Sequence, residues 1–229
     1  IAETKYGVQD YYDIEPDLPK HLMKIQPCPY DTDEFKNLPE KGIFRLLNNI
    51  LMDTKVIMFL GRVHEIKGND ILIRGFAELL KKRNDVILAI VGGDDGHMDF
   101  CKQLSVDLGI EDKVKFTGFI GGEDKLKALV DADIVVQMSR YEQGAWAPIE
   151  GVLAGTPIVV SDHTGSGEDI RRLKAGYTAE FGNDQDLADK LDYVLNNYDD
   201  ALRLTQTAAQ LIDDKYSMNA CINDITDIY

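Results

Sequence analysis

The sequence has few cysteines, no long apolar run and no excess of positive charge. Its three cysteines, Cys28, Cys101 and Cys221, are odd in number and widely spaced, so we expect reduced thiols in a cytoplasmic protein rather than a disulfide framework. No run approaches the roughly 18 apolar residues that a membrane span requires. Asp and Glu number 40 against 25 Lys and Arg, and the net charge of −15 repels phosphate backbones, which excludes nucleic acid as an expected partner.

What the sequence does have is enough apolar content for one good-sized core, at 44% hydrophobic residues in 229. It shows no internal repeat and no low-complexity tract. The chain begins at Ile1, with neither an initiator methionine nor the charge pattern of a signal peptide, so we expect a piece of a longer protein.

Short apolar runs alternate with amphipathic stretches along most of the chain. The runs predict six strands, at residues 56–60, 86–91, 114–117, 133–138, 157–160 and 176–180. Spacings of three and four predict helices at 71–80, 98–108, 123–130, 148–154, 187–195 and 202–212, and from 222 to the end. Because the runs are too apolar to have a wet face, we predict an α/β fold with a doubly wound, Rossmann-like parallel sheet and C-terminal helices.

The first forty residues have a different character. Five prolines interrupt them, Pro16, Pro19, Pro27, Pro29 and Pro39. Proline breaks long helices and strands, so this part is predicted to be an extended connection that can include one strand.

The loops that follow the strands are the places to look for a ligand, because open parallel sheets bind ligands beyond the carboxyl ends of their strands. In the loop at 61–68, Arg62 and Lys67 can converge on a diphosphate, since arginine binds phosphate oxygens in a fork and lysine adds a point charge. The alternative is a solvated loop whose cations pair with Glu65 and Asp70.

Two glycine-rich loops are less informative. Residues 92–96 could bring backbone close to a ligand, and residues 118–122 could support a flat ligand on backbone amides. A tight turn explains both equally well or better. The sequence Gly165-Ser166-Gly167 is likewise expected to be a turn near the crevice rather than a ligand site.

The loop after the fourth strand carries two carboxylates, Glu142 and Glu150. Pro148 is suited to start a helix, which places Glu150 in its first turn, so both carboxylates are expected to face one crevice. Backbone amides near a helix N-terminus bind anions, and here those amides belong to Gly144, Ala145 and Trp146. The alternative is that Glu150 only complements the helix dipole, a contribution of about 0.3–1 kcal/mol.

These motifs together resemble the retaining glycosyltransferases of GT-B fold, family 4 (group 1). The resemblance rests on Gly61-Arg62, on Lys67-Gly68 and on the two glutamates with seven residues between them. The stretch 25–35 is similar to the family's proline-and-aspartate entry to its second domain, and 151–160 to its helix-turn-strand after the second glutamate. The similarity covers about residues 25–229.

The resemblance implies one half of a two-domain enzyme. Residues 1–24 would be the tail of an absent N-terminal acceptor domain or a linker, and residues 25–212 the Rossmann-like domain that binds the nucleotide sugar. Residues 213–229 would form a C-terminal helix that packs on the absent domain. The acceptor, a sugar or lipid-linked saccharide, and any peripheral membrane association would depend on that domain, in polysaccharide biosynthesis.

The resemblance also assigns roles to single residues. Arg62 and Lys67 would clamp the diphosphate and stabilise the leaving group, and Glu142 would contact the donor sugar; these three are the catalytic candidates. The donor-binding candidates are Gly61, Arg62, Lys67, Phe119, Glu142, Gly144, Ala145, Trp146 and Glu150, with Glu150 on the ribose and Phe119 at the base. No metal and no cofactor are expected.

One departure from the family pattern lies at residues 144–146. Members commonly have an aromatic-glycine pair two residues after the first glutamate, where this chain has Gly144 and Ala145, followed by Trp146. The Cβ of Ala145 and the indole of Trp146 are expected to leave less space for the donor than the family's glycine does. This departure leaves one alternative open, a non-catalytic scaffold of the same fold that has lost donor binding. A second alternative within the same fold is a sugar-nucleotide epimerase or synthase.

Overall fold

The computed structural model of this chain describes residues 2–26, 29–144 and 146–226, with the backbone alone for 223–226. Cys28, Ala145 and the C-terminal residues 227–229 lie outside the described residues. The sequence predictions for these residues therefore stay predictions.

Six parallel strands form one sheet, and all six predicted strands are confirmed to within one residue at each end. They are β1 (Lys55–Leu60), β2 (Val86–Val91), β3 (Val114–Gly118), β4 (Ile134–Gln137), β5 (Ile158–Ser161) and β6 (Tyr177–Ala179). Their order is β3-β2-β1-β4-β5-β6, the doubly wound arrangement. Nearly every residue of β1 and β2 is buried, which explains why their runs lack an alternating polar face.

Ten helices occur among the described residues. They are α1 (Lys5–Ile14), α2 (Ile43–Leu47), α3 (Asn69–Leu80), α4 (Met98–Asp107), α5 (Glu123–Asp131), α6 (Trp146–Leu153), α7 (Gly165–Leu173), α8 (Asp184–Asn196), α9 (Tyr198–Tyr216) and α10 (Met218–Thr226).

The helices cover the sheet in two layers. Side chains of β1 alternate between them, with Met58 facing the core under α5, α6 and α9, and Phe59 facing the core under α3, α4 and α8. Both residues are fully buried. The predicted fold is therefore confirmed: a Rossmann-like parallel sheet covered on both faces.

The prediction for the first forty residues is wrong. Helix α1 fits ahead of Pro16, and Thr4 caps it, with its hydroxyl accepting a hydrogen bond from the Gly7 amide. The described part of this region contains two short 3₁₀ turns but no strand, only an isolated parallel bridge between Ala2 and Ile25. Proline terminates the helix here without preventing it.

Two further helix predictions need correction. Gly165-Ser166-Gly167 is not an isolated turn, because these residues form the start of α7 behind the capping residue Thr164. Helix α6 begins at Trp146, two residues before Pro148. Glu150 is therefore its fifth residue and lies beyond its first turn.

The domain boundaries at 24 and 212 stay predictions. Residue 212 lies inside α9, which continues to Tyr216 and then packs against α10. Residues 2–24 contact the rest of the described chain, for example where the Thr4 hydroxyl donates to the Gln143 carbonyl.

Candidate active site

The carboxyl ends of β1 and β4 meet at the centre of the sheet, where the strand order reverses. Two adjoining cavities, of about 190 Å³ and about 290 Å³, open there and share Leu60, Gly61, Arg62, Trp146 and Ala147. The first also contains Lys67, Gln137, Glu142 and Gly144, and we call it the polar cavity. The second also contains Val91, Gly92, Gly93, Phe119, Ile120, Lys125 and Glu150, and we call it the flat cavity.

All the sequence-predicted site residues that the structure describes line one or both of these cavities. The predicted convergence of two cations and two carboxylates at one sheet edge is therefore observed. Ala145 is the one predicted site residue outside the described ranges.

The polar cavity is organised around an ion pair between Lys67 and Glu142. The Nζ to Oε2 distance is 2.6 Å, and each side chain is 19% exposed. The same oxygen also accepts hydrogen bonds from the Gln137 amide, at 3.1 Å, and the Ser139 hydroxyl, at 3.4 Å. Three donors on one oxygen fix the orientation of the carboxylate.

Lys67 is the last residue of a 3₁₀ turn that starts after His64, whose ring nitrogen accepts a hydrogen bond from the Ile66 amide. Gly68 follows with a φ of +66°, and a Cβ there would overlap the carbonyl of Met138, the residue directly after β4. Only glycine permits this approach. The glycine after Lys67 thus brings the lysine against the strand that precedes Glu142.

Arg140 ties the lysine turn to the loop that carries Glu142. Its guanidinium donates to both oxygens of Asp70, each at 2.7 Å, and to the carbonyl of Glu65. Burial opposes ionisation of Asp70, but hydrogen bonds from Arg140 and Arg74 outweigh it and lower the pKa of Asp70 to about 2.

The alternative in which Arg62 and Lys67 pair with Glu65 and Asp70 is wrong about the partners. Arg62 instead pairs with Asp95, and its side chain is 71% exposed at the rim shared by both cavities. Its ion pair is exposed and so contributes little to stability. The guanidinium therefore remains accessible to an anionic ligand.

The flat cavity combines exposed apolar surface with one carboxylate. The Phe119 side chain is 80% exposed at its edge. Glu150 accepts from Lys125 at 2.9 Å, and Lys125 also pairs with Glu34 at 3.2 Å. Desolvation lowers the pKa of Lys125, but these two carboxylates outweigh it and raise the pKa overall.

Glu150 lies beyond the reach of the strongest dipole effect, which falls off within the first helical turn. Its interaction with Lys125 and its place in the cavity wall therefore describe it better than a dipole role does. Trp146, at the start of the same helix, packs edge-on against Tyr30 with ring centroids 5.4 Å apart.

Sequence reasoning missed three contributors to this site: Gln137, Lys125 and Arg140. Gln137 is 6% exposed, and within the described chain its Oε1 atom has no hydrogen-bond partner. A lone amide at the end of an apolar strand was the available signal. Lys125 and Arg140 gave none, because each acts on a carboxylate distant in sequence.

Two further features are absent from the described ranges. They contain no group of three or more His, Cys, Asp and Glu side chains placed to hold a metal ion. They also contain no helix with the length and apolarity needed to cross a bilayer. That the reaction needs no metal stays a prediction.

Comparisons with known proteins agree with this architecture. The family model described as glycosyl transferases group 1 matches residues 43–211. The uncharacterized glycosyltransferase MJ1607 of Methanocaldococcus jannaschii is 30% identical over 201 residues, which cover 88% of this chain and 51% of that protein. The D-inositol 3-phosphate glycosyltransferase of Corynebacterium aurimucosum is 28% identical over 236 residues, covering 100% of this chain and 55% of that protein.

A solved structure shows the same fold. Anabaena Alr3699/HepE, in complex with UDP and glucose, superposes with a TM-score of 0.85 at 20% identity, over 99% of this chain and 61% of that one. The chain spans about half the length of the curated relatives it matches. With a match over most of its length and a relative at 30% identity, the chain belongs to the glycosyl transferases group 1 family.

Proposed function

We propose that this chain is the donor-binding half of an enzyme that transfers a sugar from a nucleoside diphosphate sugar to an acceptor. The observation that carries the proposal is the convergence of Arg62 and Lys67 with Glu142 and Glu150 around two joined cavities. The family indicates the reaction class. The two cavities would hold different parts of one nucleotide sugar.

The polar cavity suits the diphosphate and the donor sugar. Lys67 uses one of its three N–H groups on Glu142, which leaves donors for a phosphate. Arg62 at the shared rim adds a planar fork for phosphate oxygens. The Glu142 Oε1 atom accepts no hydrogen bond within the described chain, so it is open to a sugar hydroxyl.

The flat cavity suits the nucleoside. Phe119 and Ile120 offer an apolar wall to a base, and Glu150 offers a carboxylate to the ribose hydroxyls. Lys125 holds one oxygen of Glu150 and leaves the other for the ligand. The cavities adjoin at Gly61 and Arg62, where the diphosphate would connect nucleoside and sugar.

Catalysis would follow from positive charge placed where negative charge develops. As the bond to the sugar breaks, Lys67 and Arg62 stabilise the charge on the departing nucleoside diphosphate, the task that a divalent cation has in other enzymes. The acceptor would attack on the face that the leaving group vacates, with retention of anomeric configuration. The acceptor site would lie in the remainder of the protein.

The departure at residues 144–146 has a structural counterpart. Trp146 is 49% exposed and contributes to the lining of both cavities, which share it with Gly61 and Arg62. Gly144 is buried. We propose that this arrangement affects which donor fits rather than whether one binds.

Isothermal titration calorimetry with UDP, GDP and ADP tests the proposal. At least one should bind, and Arg62→Ala or Lys67→Ala should weaken it about tenfold to a hundredfold, the effect of a lost charge-assisted hydrogen bond. Arg203→Ala is the matched control, because Arg203 is similarly exposed and ion-paired, with Asp200 on α9. Absence of binding to all three nucleotides by a folded protein would contradict the proposal and favour a scaffold.

A further inference from the structure

The loop that carries Glu142 is held by its backbone as well as by its side chain. Three consecutive carbonyls, of residues 142–144, each accept a hydrogen bond from a different donor. The donors are the Gly165 amide to Glu142, the Thr4 hydroxyl to Gln143 and the Ser166 hydroxyl to Gly144, at 2.8, 2.8 and 2.9 Å. A loop has no ladder of its own to satisfy these groups, so the three donors determine its path.

Two of these donors come from the start of α7. A Cβ on Gly165 would overlap the Gln143 carbonyl, so glycine is needed for the loop to lie against the helix. Ser166 is 1% exposed, and its hydroxyl points at the loop rather than at solvent. This explains the Gly165-Ser166 sequence, which the donor site itself does not use.

The third donor comes from the N-terminal segment, residues 2–14. Thr4 is 2% exposed, and it both caps α1 and donates to the Gln143 carbonyl. The segment is fixed at two more points. The Lys5 amide donates to the Glu168 carboxylate on α7, and the Tyr141 hydroxyl donates to Asp10.

Thr4 and Ser166 do not line either cavity, yet both hold the loop between β4 and α6. The Glu142 carboxylate meets Lys67, Gln137 and Ser139 at hydrogen-bonding distance, so a small shift of its backbone would break that arrangement. Misplacement of a binding group by about 1 Å can cost about a hundredfold in rate.

We infer that Thr4 and Ser166 are positioning residues for Glu142, and that the N-terminal segment, through Thr4, fixes the geometry of the donor-sugar site. This inference rests on the proposed function, in which Glu142 contacts the sugar. It makes recognition of the sugar, rather than of the nucleotide, depend on a segment that the sequence assigns to a linker or another domain.

The test compares a nucleotide sugar with its own nucleoside diphosphate. Dissociation constants are measured by calorimetry for UDP-glucose with UDP, for GDP-mannose with GDP and for ADP-glucose with ADP. Thr4→Val and Ser166→Ala should weaken binding of the nucleotide sugar about fivefold to tenfold, the effect of one lost hydrogen bond. Binding of the nucleoside diphosphate should change by less than about twofold, because the nucleoside and diphosphate contacts do not involve the loop carbonyls. Thr4→Ser keeps the hydroxyl and should restore the ratio.

The chain offers matched controls for both variants. Thr205→Val and Ser105→Ala each remove a buried hydroxyl that donates to a backbone carbonyl within a helix away from the site. They report what such a loss does to stability, measured by thermal unfolding, and to the ratio of the two dissociation constants, measured by calorimetry. If Thr4→Val does not fold, Ser166→Ala carries the test.

Three results decide the matter. A selective loss for the nucleotide sugar in Thr4→Val or Ser166→Ala, absent from the controls, supports the inference. An unchanged ratio in folded variants, or an equal change in the controls, overturns it and leaves the proposed function intact. Failure of the unmodified protein to bind any of the six probes overturns the proposed function and this inference together.

Discussion

The two glutamates of the site are held in different ways. Glu142 lies on a loop, and long-range contacts fix it: three donors on its carboxylate and three on the backbone of its loop. Glu150 lies on α6, whose own hydrogen bonds fix its backbone, and one lysine of the described chain, Lys125, pairs with its side chain. A loop residue needs the surrounding fold to position it, whereas a helical residue is placed largely by its own element.

The largest effect is expected when the lysine paired with each glutamate is replaced, Lys67 for Glu142 and Lys125 for Glu150. Lys67→Met should lower the rate of nucleoside diphosphate release by about a hundredfold to a thousandfold, because it removes charge at the leaving group. Lys125→Met should lower it far less, because Lys125 only orients Glu150. Steady-state assays of the whole enzyme measure both rates, and equal losses would contradict the distinction between the cavities.

The paired substitutions Glu142→Gln and Glu150→Gln sharpen the comparison. Each keeps the size of the side chain and removes its charge, which should cost about tenfold to thirtyfold in affinity for a group that it binds directly. Glu142→Gln should weaken binding of the nucleotide sugar more than binding of the nucleoside diphosphate. Glu150→Gln should weaken binding of both ligands by the same factor. Calorimetry with both ligands measures this ratio. If Glu150→Gln instead weakened the nucleotide sugar selectively, the sugar would be assigned to the flat cavity and the nucleoside to the polar cavity.

Acid titration tests the Arg140–Asp70 connection, which belongs to the Glu142 side of the site. Because the folded-state pKa of Asp70 is lowered to about 2, its contribution to stability is present above the ordinary carboxylate pKa and is lost as pH falls toward 2. Between pH 5 and pH 3 the unmodified protein should lose about 1 kcal/mol more unfolding free energy than Asp70→Asn. Urea unfolding at both pH values measures the difference, and identical losses would show that the pair does not stabilise the native state.

The smallest expected effect concerns Gln137. Gln137→Met removes one of three donors to Glu142 and should weaken binding of the nucleotide sugar about threefold, while the thermal unfolding temperature stays within a few degrees. Calorimetry and thermal unfolding on the same samples measure the two quantities. Weaker binding of the nucleoside diphosphate with unchanged binding of the nucleotide sugar would contradict the assignment of Gln137 to the Glu142 side of the site.

Strands and loops at the sheet centre could be predicted from the sequence because their signals are local. The apolar runs of β1 and β2 identify buried strands, and Lys67-Gly68 or Glu142 follow strands whose carboxyl ends must share an edge. Such local signals do not identify helix α1, because the prolines that follow it favour an extended connection. These signals do not identify helix α7 either, because Gly165 and Gly167 stand at its first and third positions. Glycine is a poor helix former, and both glycines allow a close approach to backbone carbonyls.

The sequence by itself determined the fold class, the family resemblance and the loops that surround the site, since periodicity and spacing along the chain encode them. The tertiary structure alone decided which side chains hold those loops in place. Thr4 reaches Gln143 across 139 positions, and Arg140 reaches Asp70 across 70. Such contacts depend on how separate elements pack, and no local pattern in the chain specifies them.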